Sequence, residues 1–157
     1  MKKVVSCILS AILVAGCASP RYANDVRSIQ LVKSTASWDG QALPAYKTGT
    51  PEITILRITI PPSHTLPMHT HPVINAGVLL KGELTVTTDS GQVLHLKPYD
   101  PIVEVVDTWH YGRNEGDEPA EIIVFYAGEE DKPITIKKTE STQSHNKDLK
   151  ATGKPAP

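Results

Sequence analysis

Three histidines are the residues best placed to do chemistry. His69 and His71 stand two apart in His69-Thr70-His71, and His110 follows in a later β-rich stretch. Alternate side chains of an extended strand share a face, so the imidazoles of His69 and His71 point the same way. Three imidazoles converging inside a small barrel make a metal site that leaves coordination positions open, as a catalytic metal needs. The imidazole donors do not choose among Fe, Mn, Ni, Zn or Cu. His64, His95 and His145 lack this spacing and read as surface or internally satisfied residues.

The elements that must position these side chains are strands. Residues 52–60 (Glu-Ile-Thr-Ile-Leu-Arg-Ile-Thr-Ile) are mostly β-branched, and Pro61-Pro62 stops the run because proline cannot donate to a ladder. Residues 74–88 read as two strands broken at Lys81-Gly82-Glu83, and Asp89-Ser90-Gly91 is a hairpin signal leading into a return strand at 92–96. Strands are also expected at 102–106, 108–114, 121–126 and 135–137, with a candidate first strand at 28–33. Residues 34–50 carry turn signals and should wrap the domain. Eight to ten short strands with no helical period describe a sandwich or barrel in a single all-β domain. Aromatic content is only 5%, so the core must be aliphatic.

Around the histidines the chain resembles the cupins. Their first motif is His-x-His, three residues, a ligand, six residues, glycine; here it reads His69-Thr70-His71, Asn75, Gly82. Their second motif ends in His, three residues, Asn, matched by His110 and Asn114, and Asp100 matches its opening acid. The resemblance covers residues 52–126 and implies a cupin jelly-roll β-barrel (a double-stranded β-helix) with a small central cavity and a divalent metal. It departs in four places. Asn75 stands where the family has glutamate, Tyr99 where it has glycine, and Val105 and Asp107 replace the Pro-x-Gly before the histidine.

The loss of the glutamate has a physical consequence. Three neutral imidazoles and an amide bring no negative charge to a divalent cation, so affinity falls and an anion is drawn in to compensate. Asn75 is a possible fourth ligand or a polar residue of the cavity. Glu104 shares the parity of His110 and faces the cavity if the strand runs unbroken, or solvent if it does not. Arg57 is equally open, because Ile53 and Ile55 lie on its side of the strand while Leu56, Ile58 and Ile60 lie on the other. Trp109, of opposite parity to His110, should pack outside the cavity, and Asn114 should hold a turn.

The N-terminus has its own pattern. Lys2 and Lys3 precede an apolar run at 4–14 that is too short to span a bilayer, and Val14-Ala15-Gly16-Cys17 resembles the lipobox of bacterial lipoproteins. That resemblance implies a signal peptide at residues 1–16, lipidation of Cys17, and, since Ala18 is not aspartate, an outer-membrane anchor facing the periplasm. Residues 17–27 then form a tether, 28–137 the barrel, and 138–157, rich in Lys, Ser, Thr and Pro, a disordered tail. Beyond Cys7 and Cys17 there is no cysteine, which excludes thiol nucleophiles and zinc–thiolate sites in the barrel. Without Lys2 and Lys3 the chain has 14 basic and 17 acidic residues, and no basic run marks a nucleic-acid surface.

Two functions follow. One is a metal-dependent, dioxygenase-like enzyme acting on a small organic molecule, motivated by the open coordination positions. The other is a non-catalytic cupin that binds a small molecule or metal, motivated by the missing glutamate. A purely structural envelope lipoprotein would leave the histidine spacing accidental. The resemblance also implies a possible homodimer, with residues 28–33 as the strand to exchange.

Overall fold

The computed structural model describes residues 26–139. The signal peptide, Cys17, nearly all of the tether, His145 and all but two residues of the C-terminal tail lie outside the described residues.

Nine strands follow in order: β1 (Pro51–Ile60), β2 (His69–Thr70), β3 (Ile74–Lys81), β4 (Leu84–Thr88), β5 (Val93–Leu96), β6 (Pro101–Val103), β7 (His110–Arg113), β8 (Ala120–Glu129) and β9 (Ile136–Lys137). They form two antiparallel sheets, ordered β1-β8-β3-β6 and β5-β4-β7-β2-β9. This is the expected all-β jelly roll, and no helix occurs among the described residues.

Strict alternation builds the interior. Along β8, Ala120, Ile122, Val124 and Tyr126 are buried while Ile123 and Phe125 are exposed. Leu84 and Val86 of β4 face them from the second sheet, and Ile60, Leu79, Leu96 and Ile102 complete the core. As the low aromatic content requires, the core is almost wholly aliphatic. Each such side chain contributes roughly 1.5–3 kcal/mol by leaving water.

Two glycines fit backbone demands. Gly82 opens the β3–β4 turn at φ +75°, and a Cβ there would lie 2.8 Å from Ala120 Cα. Gly77 sits on the inward face of β3, where a Cβ would lie 2.7 Å from the Ile123 carbonyl oxygen. Both positions that the cupin pattern reserves for glycine in the second motif keep left-handed backbone without it: Tyr99 at φ +74° and Asp107 at φ +55°.

Three readings of the elements are corrected. Residues 28–33 form no strand and are exposed, because their apolar side chains meet no sheet edge among the described residues. The strand expected over 102–106 is Pro101–Val103, since the chain turns away before Asp107. The strand expected over 121–126 extends to Glu129, paired along β1 from Ile60↔Ala120 to Pro51↔Glu129. Residues 34–50 wrap the sheet edge as expected, anchored by Trp38 N–H donating to the Val103 carbonyl (2.9 Å).

Candidate metal centre

The second sheet brings the three histidines together. His69 on β2 is registered opposite His110 on β7, which is also registered opposite Thr88 of β4. His71 follows β2 directly, and its carbonyl accepts the Asp107 N–H (2.9 Å). Ring centroids are 4.4 Å apart for His69–His110, 5.0 Å for His69–His71 and 5.1 Å for His71–His110. One ring nitrogen from each lies within 4.8 Å of the others, close enough to share one cation.

The tautomers follow from the hydrogen bonds. His69 Nδ1 lies 2.7 Å from the Pro67 carbonyl, His71 Nδ1 2.8 Å from Ile134 and His110 Nδ1 2.9 Å from Thr108. A carbonyl oxygen only accepts, so each Nδ1 carries the proton and donates it, leaving each Nε2 a free lone pair. This is the orientation that metal-ligating imidazoles take from a carbonyl partner. Burial lowers the pKa of all three, to about 4 for His71 and His110, and so keeps them neutral at pH 7. His110 Nε2 is buried without a hydrogen-bond partner.

The histidines face a cavity of about 50 Å³ between the sheets. Apart from Glu104 and Tyr126 the rest of its wall is apolar, with Ile58, Leu66, Val86 and Val124 among the lining residues and Gly112 on the β7 side. Glu104, one residue past β6, enters it from the sheet opposite the histidines. Its Oε2 is 3.7 Å from His110 Nε2 and has no hydrogen bond. Burial pushes this carboxyl up to about 7.

The other candidates fall elsewhere. Asn75 points inward from β3 and is buried, but its Nδ2 turns back to the Val73 carbonyl (3.3 Å), and it is not among the residues lining the cavity. Arg57 does not reach the cavity. It lies on the outer face of β1 with Ile53 and Ile55, where its Nη2 and Nε donate to Glu121 Oε2 at 2.7 and 3.1 Å. Trp109 packs outside the cavity wall, with Lys138 Nζ 5.6 Å from its ring centre. Asn114 is wholly buried and ties the turn: its Nδ2 donates to the carbonyls of Ile60, Pro61 and Glu118, and its Oδ1 accepts from Gly116 N–H.

Sequence reasoning missed Tyr126. Its ring stands edge-on to His71, 5.4 Å between centroids, and its phenol is pushed up to about 12, first by burial and then by Glu104. Its parity with Ile122 and Val124 on β8 was the signal that could have found it. Ile134 and Thr135, which brace His71 Nδ1, carried no such signal.

The family model for the cupin domain matches residues 56–126. No curated protein matches the chain. Among solved structures, the chain is similar to an uncharacterized conserved protein with a double-stranded β-helix domain from Klebsiella pneumoniae. The TM-score is 0.49 at 18% identity, over 74% of this chain and 100% of that one. It is also similar to the DMSP lyase DddQ of Ruegeria pomeroyi, with a TM-score of 0.48 at 20% identity over 54% of this chain. The salicylate 1,2-dioxygenase of Pseudoaminobacter salicylatoxidans gives a TM-score of 0.44 at 18% identity, covering 48% of this chain and 22% of that one. The chain spans 42% of the length of the DddQ lyase. The family match over residues 56–126, the two facing antiparallel sheets and the clustered histidines together support a cupin-superfamily domain there.

Proposed function

We propose that this chain is a lipid-anchored, periplasm-facing cupin that holds a divalent metal through His69, His71 and His110 and acts on a small organic molecule. The observation that carries the metal reading is the set of three Nδ1–carbonyl bonds, which leaves three Nε2 lone pairs free on histidines whose ligand atoms lie within 4.8 Å of one another. The orphaned His110 Nε2 fits the same reading, since a buried nitrogen without a partner costs free energy that a cation would recover. A metal held there supplies Lewis-acid chemistry or, for iron or copper, redox chemistry at an open coordination position.

The chain's own residues define what can enter. The cavity of about 50 Å³ beside the histidines admits a small ligand fragment. The largely apolar wall favours an uncharged fragment, and among the described residues no lysine or arginine lines the cavity to neutralise an anion. The small cavity also favours a second reading, in which the protein retains a small ligand or the metal without turnover.

The test is metal analysis of the purified, tag-free barrel expressed with Fe, Mn, Ni, Zn and Cu available. Near-stoichiometric metal is expected, and loading below about a tenth of chains would defeat the reading. His71→Ala should lose the metal; a variant that keeps its full complement would defeat the ligand assignment. Turnover and retention are separated by incubating the loaded protein with a pool of small organic molecules under air and reading products by mass spectrometry.

The lipid anchor is supported by Lys2, Lys3, the apolar run at 4–14 and the Cys17 lipobox. Cys17→Ser should move the protein from the membrane fraction to the soluble fraction, and unchanged membrane association would argue against the anchor. A homodimer is supported by the outer face of the first sheet, where Ile53, Ile55, Ile123 and Phe125 are all exposed. Sedimentation of wild type against Phe125→Lys tests it: the wild type should run as a dimer and the variant as a monomer.

A further inference from the structure

We propose that Glu104 is the anionic fourth ligand of this metal centre, supplying from the opposite sheet the carboxylate that position 75 lacks. This rests on the three-histidine metal reading above.

Four observations lead there. Glu104 Oε2 and His110 Nε2 are both buried, and among the described residues both lack a hydrogen-bond partner. They stand 3.7 Å apart, beyond the 2.7–3.2 Å of an N–H···O bond. Oxygen and nitrogen ligands each lie about 2.0–2.2 Å from a cation such as zinc, so two ligands of one cation are about 3–4 Å apart. The separation suits a shared ion and not a shared proton.

Glu104 also sits beside the position it would replace. Its backbone N–H donates to the Asn75 carbonyl (3.1 Å), so the two residues are neighbours across the sheet. The carboxylate has moved one strand over while staying level with the site. Among the described residues nothing else claims it: the cavity wall holds no lysine or arginine, and Arg57 is engaged by Glu121 on the outside. The charge that the sequence seemed to leave to an outside anion is thus carried by the chain itself. A centre whose charge is already partly balanced favours neutral ligands over anionic ones.

The experiment is a Zn(II) titration of wild type, His71→Ala, Glu104→Gln and Glu104→Met by calorimetry, joined to infrared difference spectra of protein labelled with [13C]glutamate. Glu104→Gln and Glu104→Met are each expected to weaken Zn(II) binding at least tenfold while keeping the far-UV spectrum of the wild type. The wild-type spectrum should show a labelled carboxylate band shifting on Zn(II) addition, absent from Glu104→Met. Wild-type affinity in both Glu104 variants, or no shifting band in the wild type, overturns the assignment. Should both variants fail to fold, the wild-type band decides alone, because Glu104 is the one glutamate among the described residues lining the cavity. Failure of the wild type to bind Zn(II) at all would instead remove the metal reading on which the assignment rests.

Discussion

Glu104 makes a testable demand on stability. Its carboxyl has an ordinary value of 4.5 and is raised to about 7 by burial in the fold. The folded state of the metal-free protein therefore holds a proton that the unfolded chain releases between those values. Wherever the folded state binds more protons, stability falls as pH rises. The loss begins above pH 4.5, proceeds to about pH 7 and then levels. The rise from 4.5 to about 7, at about 1.36 kcal/mol per pH unit, amounts to roughly 3 kcal/mol. Glu104→Met keeps the volume and removes the titrating group, so its advantage over wild type should grow by roughly 3 kcal/mol from pH 4.5 to pH 8. At a urea slope of about 1–2 kcal/mol per molar for a domain of this size, the midpoints separate by an extra 2 M or so. The assay is urea unfolding in chelator at the two pH values, with both proteins at each. A difference that does not change with pH, or a variant less stable at pH 8, would refute the claim that this carboxyl is buried without a partner. The predicted gain in stability comes with loss of metal, the trade expected where a strained site serves function.

Other consequences can be checked together. His71 and His110, lowered to about 4 by burial, are neutral when folded but protonate near 6.5 when unfolded, so they destabilise the metal-free fold as pH drops from 6.5 to 4. Together they outweigh the opposing effect of Glu104, and circular dichroism should show a net loss of roughly 3 kcal/mol over that range. Tyr99→Gly should raise stability by about 0.5–1 kcal/mol in thermal unfolding, because it relieves left-handed backbone at an exposed side chain. Gly82→Ala should cost about 2–4 kcal/mol, since the new Cβ meets both a positive φ and the backbone of Pro119 and Ala120.

Much of the site was legible because β parity is a local rule. Two histidines at i and i+2 needed only an extended backbone to share a face, and β-branched runs with turn residues between them supplied the strands. What parity could not decide was any residue next to a break. Glu104 lies between the end of β6 and the left-handed Asp107, so counting from His110 crosses a loop, and its inward side chain is a result of the Asn75 contact instead. Arg57 was open for a different reason: both faces of β1 carry isoleucines, and burial alone separates Ile58 and Ile60 inside from Ile53 and Ile55 outside. Residues 28–33 have strand-like composition, but a strand also needs an edge to pair with, and composition carries no record of one.

The worn second motif makes a sharper point about what a sequence pattern encodes. Glycine at a motif position signals a left-handed backbone, and Tyr99 and Asp107 take that conformation without glycine. The chain path is therefore held by its partners: the Tyr99 N–H donates to the Leu79 carbonyl, and the Asp107 N–H to the carbonyl of His71. The second contact ties the loop before His110 to His71, so the turn that ends the strand also sets the distance between two of the three imidazoles. Asp tolerates left-handed backbone better than most residues, so the departure at 107 costs little. At position 75 the departure removes a charge that backbone geometry cannot restore. Only another acidic side chain within the barrel can, and among the residues lining the cavity Glu104 is the one that carries it.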